Sequence, residues 1–199
     1  PPQSEVAVVY NPLAHFVGGR QRATAYAGPQ GEVAGIERDS LLGIYRALFP
    51  SNVPLDFVHA SHLKAAELRP YRLVVMPYPL MMPAAAAAEL REYVREGGHL
   101  VLEARAGWND ERGRAAETIP GLGLFDVVGA RETDVQTVEK GKAVLVAGEG
   151  LPGLRPGETL AGRWYEETLE PATPTARVVA RFAGGAPAAV VSSFGKGQA

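Results

Sequence analysis

The sequence predicts an α/β fold: a mostly parallel sheet flanked by helices, with a β-rich extension toward its C-terminal end. Three observations carry this expectation. Arg72-Leu73-Val74-Val75-Met76-Pro77 and His99-Leu100-Val101-Leu102-Glu103-Ala104 are short, almost wholly apolar runs, as strands covered on both faces must be. Between them, Pro83 opens an alanine-rich segment at a first turn, where a missing N–H costs nothing, and Gly97-Gly98 stands where a left-handed cap is needed. From Gly129 onward the text is strand-like, punctuated by Gly and Pro. A strand–helix–strand unit joins parallel strands through a right-handed crossover, so the stretch from Arg72 to Gly107 is the expected centre of the sheet.

Taken in order, Glu5 to Tyr10 is the first strand, again a near-continuous apolar run. The connection from Asn11 to about Gly35 is read as one long loop, well beyond the roughly 2–6 residues usual for a βα connection. A helix is expected over Ile36 to Phe49, with Leu41, Ile44, Tyr45 and Leu48 on its buried face and Pro50 and Asn52 ending it. Pro54 to Val58 is the second strand, and Leu73–Met76 and Leu100–Leu102 are the third and fourth. In the alanine-rich helix, Ala86, Leu90, Tyr93 and Val94 recur at helical spacing and face the sheet, while Glu89, Arg91, Glu92, Arg95 and Glu96 largely face water. The order β-α-β-β-α-β predicts a doubly wound, flavodoxin-like half. Trp108 to Arg114 is a polar loop, and Pro120 to Val128 holds a short helix packed through Leu122, Leu124 and Phe125. Strands follow over Ala143–Ala147, Glu158–Leu169, Ala176–Phe182 and Ala188–Phe194, with a hairpin turn at Gly184-Gly185. With no linker in sight, residues 1–199 are read as one α/β domain: a core over 5–128, and 129–199 continuing the same sheet. The opening at Pro1-Pro2 and the turn-like Gly195-Lys196-Gly197-Gln198-Ala199 give the expectation of a domain excised from a longer chain.

Composition bounds the function. A chain of 199 residues, 46% hydrophobic and 21% charged, has the make-up of a soluble globular domain with one sizeable core. A net charge of −2 supplies no electrostatic reason for a nucleic-acid or acidic-membrane partner. No apolar run approaches the roughly 20 residues of a membrane span. Zero cysteines removes disulfides, thiolate metal sites and cysteine nucleophiles together. It leaves the compartment open, with the cytoplasm favoured over secretion.

Each candidate site has a structural alternative. His59 and His62 are three apart but straddle a strand end with no third ligand, so surface histidines is the better reading than a metal site. Gly18-Gly19-Arg20 has the composition of a phosphate cradle, yet no helix follows directly, and a loop kink is the better reading. Glu103, Asp110 and Glu111 are a possible acid pair, the requirement of glycoside hydrolysis, but one lies on a strand and the others on a solvated loop. Trp164 and Tyr165 point to opposite faces of one strand, one toward the core and the other toward an interface or a sugar platform. No Gly-x-Ser-x-Gly elbow occurs. No catalytic residue, cofactor or metal is assigned. The candidates that remain are interface or edge-loop residues: His15, Arg20 and Arg22 on the first long loop, and Arg105, Trp108, Asp110 and Glu111 on the second. Both loops sit at the carboxyl end of the strands, where open α/β sheets make their contacts.

Several stretches together resemble one family. Ser40-Leu41-Leu42-Gly43-Ile44-Tyr45-Arg46-Ala47-Leu48 is followed by Val53-Pro54-Leu55-Asp56-Phe57-Val58, then by Tyr71 to Pro77 and Gly97 to Leu102. The most specific piece is Arg105-Ala106-Gly107-Trp108-Asn109-Asp110-Glu111, an arginine-small-glycine loop with acidic residues, and Gly121 to Glu132 also fits. The chain thus resembles the trimerisation (middle) domain of the family 42 glycoside hydrolases, the β-galactosidases. The resemblance implies a fold similar to class I glutamine amidotransferases without their chemistry, because the turn where their cysteine nucleophile would stand falls near Glu103-Ala104-Arg105. It also implies a non-catalytic assembly role as a homotrimer, with the catalytic glutamates on a (β/α)8 barrel N-terminal in the same chain. The Asn11–Gly35 connection departs from the family's shorter, tryptophan-bearing segment. Two other classes stay open: a stand-alone hydrolase or transferase using Glu103, Arg105 and Asp110, and a carbohydrate-binding module using Trp164 or Tyr165.

Overall fold

The computed structural model describes residues 3–18, 35–151 and 154–199. Two sheets organise the chain. The first is six-stranded, in the order β2-β1-β3-β4-β10-β9. Its members are β1 (Val6–Tyr10), β2 (Leu55–His59), β3 (Leu73–Met76), β4 (His99–Leu102), β9 (Ser193–Phe194) and β10 (Gly197–Gln198). All of its pairings are parallel except the β9–β10 hairpin. The sheet is therefore parallel-rich within a mixed α/β fold.

The apolar runs become the interior strands because helices cover both faces. Ala7, Val9, Val74, Met76 and Leu100 pack with Leu90, Tyr93 and Val94 of α4 (Ala84–Glu96) on one face. The same cluster takes in α3 (Ala65–Leu68) and α5 (Phe125–Val128) through Leu68 and Val127. On the other face Val6, Val8 and Val75 meet Leu41, Ile44 and Leu48 of α2 (Ile36–Leu48). The helix stripe expected from spacing is the buried one: Ala86, Ala87, Leu90, Tyr93 and Val94. Pro83 is the N-cap of α4, one position earlier than the sequence suggests, and Gly97 ends the helix at φ +125° with its N–H donated to the Tyr93 and Val94 carbonyls. Gly98 is required sterically. A Cβ there would sit 2.2 Å from the Tyr93 ring, whose hydroxyl donates to the Tyr71 carbonyl at 2.9 Å.

Three expectations need correction. The connection after β1 is not loop throughout, since Pro12–Gly18 forms α1. Its N-terminal turn closes on the Asn11 carbonyl, which accepts from the Ala14 and His15 amides, a bond pattern that a proline at the first position permits. The order β-α-β-β-α-β misses α3, a four-residue turn between β2 and β3 too short for a periodic signal. Most important, residues 129–199 do not simply continue the first sheet. They build a second, four-stranded antiparallel sheet in the order β6-β5-β7-β8.

Its strands are β5 (Ala130–Ala147), β6 (Thr159–Pro171), β7 (Arg177–Phe182) and β8 (Pro187–Val191). The β5 strand is 18 residues long, where the sequence signals only its last five. Bulges between Glu132 and Asp134 and between Val138 and Ala143 interrupt its alternation, which hides the strand from a period-two reading. The β7–β8 hairpin turns at Gly184-Gly185 as expected, with Phe182 donating to the Ala186 carbonyl at 2.8 Å. The expectation of one continuous sheet holds only for β9 and β10, where Gln198 pairs in parallel with His99. Among the described residues no helix is long and apolar enough to cross a membrane.

Candidate functional site

The carboxyl ends of β1, β3 and β4 meet the second sheet around the turn at Arg105. Arg105 adopts φ +61° and Tyr78, after β3, φ +39°. These are uncommon conformations for non-glycine residues, held where surrounding contacts over-determine them. Four contacts fix Arg105. Its backbone N–H donates to Glu167 Oε1 on β6 at 3.0 Å, and its Nε donates to Glu132 Oε2 on β5 at 3.1 Å. Its guanidinium lies 4.0 Å from the centre of the Trp108 ring. Finally, its carbonyl accepts from the Trp108 amide at 3.2 Å. The Arg105 and Glu132 side chains are only 13% and 10% exposed, so their ion pair is largely withheld from water.

Burial pushes the Glu167 carboxyl up to about 8, against the Arg105 amide, which favours the charged form; the neighbouring Glu132 carboxylate pushes further upward. Glu103 is raised as well, again chiefly by burial, although it accepts from Ser40 Oγ and from the Tyr78 amide. The Tyr78 hydroxyl is raised by burial first and by its contact with Tyr165 second. Both carboxyls face a cleft of about 790 Å³ between the sheets, whose walls include Val101, Leu145, Val179 and Phe182.

The structure sorts the predicted residues. Arg20 and Arg22 lie outside the described residues, as does the part of Gly18-Gly19-Arg20 beyond Gly18. His15 sits on α1 with its side chain 69% exposed, and its Nδ1 is 2.9 Å from Oε2 of the buried Glu37. Helix α1, the described part of the first connection, and the 105–118 loop do come together, because Ala14 and Val17 share a cluster with Trp108, Tyr78, Leu80 and Tyr165.

Glu103, Asp110 and Glu111 do not form a working pair. Glu103 faces the cleft, whereas Asp110 Oδ1 accepts from the Arg112 and Arg114 amides at 2.8 and 2.9 Å, closing its own turn. Glu111 Oε2 accepts from the Ala84 amide at 2.9 Å and so caps α4 from a distant loop. The Arg114 amide above all holds Asp110 below its ordinary value, and the Ala84 amide does the same for Glu111. Such carboxylates are fastened as anions.

His59 is likewise engaged, its Nδ1 accepting from the Ser61 amide at 3.2 Å. Tyr165 is not an open platform, for it packs on the cluster holding Tyr78. The Trp164 side chain lies outside the described residues. Sequence reasoning missed Glu132, Glu167, Tyr78 and Ser40. Alternation from Tyr165 through Glu167 to Leu169 was the available signal, since it sets all three on one face of the strand. The carboxyls at this junction are thus held by amides and a guanidinium that tie elements together.

The chain as a whole is similar to known proteins. The family model described as the beta-galactosidase trimerisation domain matches residues 4–199. Beta-galactosidase BglY of Alicyclobacillus acidocaldarius subsp. acidocaldarius is 30% identical over 163 residues, covering 80% of this chain and 23% of that protein. Crystal structures of beta-galactosidases from Bacillus circulans sp. alkalophilus and Rahnella sp. R3 superpose with TM-scores of 0.83 and 0.80. Each is 21% identical and covers 98% of this chain and 28% of the other, a likeness of fold. The chain spans 23% of the length of the curated relative BglY. On the match over 4–199, this chain belongs to the beta-galactosidase trimerisation domain family.

Proposed function

We propose that this chain is a non-catalytic assembly domain of a β-galactosidase-like glycoside hydrolase, associating with two further copies of itself. Its catalytic barrel would lie elsewhere in the same polypeptide. The observation that carries this reading is the family match over residues 4–199, together with relatives of which the chain spans under a third.

A three-fold contact is heterologous, one patch meeting a different patch. Helix α1 and the 105–118 loop suit one side of such a contact. They are packed on each other yet present His15 and Phe16, 69% exposed in its side chain and 62% exposed respectively. Of the edge-loop residues, His15 and Trp108 are the ones we assign to the contact, with Arg105, Asp110 and Glu111 shaping the loop that presents Trp108. Arg20 and Arg22 are assigned to the same edge by their place in the sequence.

We further infer that the six-stranded sheet is flavodoxin-like, of the class I glutamine amidotransferase type. The order 2-1-3-4 and helices on both faces support this. We also read 1–199 as one domain, supported by the Arg105 junction and by β10 returning to β4.

Multi-angle light scattering on the full-length protein tests the assembly reading. Three times the monomer mass is expected at micromolar concentration, and Phe16→Asp should shift the population toward monomer. A monomeric full-length protein under those conditions refutes it.

A further inference from the structure

A charged junction ties the second sheet to the first, where β5, β6 and the turn after β4 converge. Glu167 from β6 accepts from the Arg105 amide, Glu132 from β5 accepts from the Arg105 guanidinium, and the two carboxyls contact each other. Glu167 is 9% exposed. One guanidinium neutralises one carboxylate, so two carboxyls in contact and out of water are electrically balanced only if they share a proton.

We propose that Arg105, Glu132 and Glu167 form a proton-operated clasp between the two sheets, closed while the carboxyl pair holds one proton and loosened when that proton leaves to solvent. The inference concerns this junction alone and does not depend on the assembly reading.

The surroundings favour the protonated form. The groups in contact with Glu167 in the cluster are Glu132, negative, and Arg105, positive. Facing the same cleft are Glu103, itself held toward its neutral form, the hydroxyls of Tyr78 and Tyr165, Asp39 from α2, and His99 from β4. Arg105 is thus the one guanidinium lining that cleft among the described residues, and it is already paired with Glu132. Loss of the shared proton leaves an excess negative charge against an apolar wall. The second sheet relieves it by drawing Glu167 away from the Arg105 amide and letting water in through the cleft.

Burial and the Glu132 carboxylate push Glu167 from 4.5 to about 8, which locates the event. The folded state binds the proton more tightly than the unfolded one. The closed form is therefore fully favoured below about pH 4.5, loses ground as pH rises, and has lost the contribution above pH 8.

Hydrogen exchange of the Arg105 amide, normalised to its intrinsic rate, reads the clasp in the full-length protein at pH 6.5 and 9. For wild type, protection should fall by on the order of 30-fold, because one proton changes it about tenfold per pH unit between 4.5 and about 8 and no further above that. The Leu90 amide inside α4 should keep its protection. Glu167→Gln keeps an acceptor for the Arg105 amide but cannot titrate, so its protection at Arg105 should be equal at the two pH values. Glu132→Gln removes the facing charge and should move the loss to lower pH, the second variant if the first fails to fold. Equal wild-type protection at both pH values overturns the clasp. So does an undiminished fall in Glu167→Gln, or a loss at Leu90 as large as at Arg105, which would mean global unfolding.

Discussion

Replacing Arg105 by Met is the sharpest perturbation the structure suggests. Methionine keeps much of the side-chain volume and removes the charge and the Nε–H that holds Glu132 at 3.1 Å. The partner it abandons is 10% exposed, so Glu132 is left as a buried carboxylate beside a second carboxyl. Breaking a buried pair from one side costs about 3–5 kcal/mol, because the remaining charge is uncompensated. For a chain of this size each kcal/mol moves the midpoint by roughly 2–4 °C, so Tm should fall by about 6–20 °C at pH 7.5. The backbone bond from the Arg105 amide to Glu167 survives the substitution, which argues against a larger loss. Adding Glu132→Gln to Arg105→Met should recover part of the loss, as removing both partners costs less than stranding one. Thermal unfolding followed by circular dichroism at pH 7.5 reads all four members of the cycle. A single-variant loss below about 1 kcal/mol, the range of exposed ion pairs, would refute the argument that this junction is a buried fastening. Strict additivity of the two substitutions would do so as well.

Two further outcomes follow from the packing. Gly197→Ala would place a Cβ 2.2 Å from the Gly98 carbonyl oxygen and 2.3 Å from that of Val94. Both are backbone atoms, so the cost should reach or exceed the roughly 1–3 kcal/mol of ordinary overpacking and dislodge β10 from β4. Gly43→Ala is its control, with nothing within 4 Å of the new Cβ inside α2, and should stabilise by about 0.5–1 kcal/mol in urea unfolding. Glu111→Ala removes the acceptor for the Ala84 amide and should speed hydrogen exchange at the first turn of α4 while leaving its last turn unchanged. Because that bond holds Glu111 below its ordinary value, the protection it confers is present above the unfolded pKa and is lost as pH falls through the folded one.

The legible parts of this fold are those whose signal is local. Leu73–Met76 stands in the sequence at the bounds it has in the structure, because a strand buried on both faces is an uninterrupted apolar run. The α4 stripe was readable for the same reason, since 3.6-residue spacing needs no knowledge of the partner. Glu111 was legible as an acid on a loop but not as the cap of a helix beginning 27 residues earlier. The three acids proposed as a pair share a stretch of sequence. Their amide partners, Tyr78, Arg114 and Ala84, are what send them to separate tasks.

By itself, then, the amino-acid order determined the parallel strands β1, β3 and β4, the helix that crosses between the last two, the absence of cysteine chemistry, and the family to which the chain belongs. Tertiary structure alone decided that the C-terminal third makes a second sheet, and that Arg105 and Glu167, 62 residues apart, meet across its edge. The physical reason is that strand pairing and register are set by contacts distant in sequence. Two bulges in β5 break the alternation by which a strand announces its inner face. A carboxyl's protonation depends on which charges and which water that register brings to it.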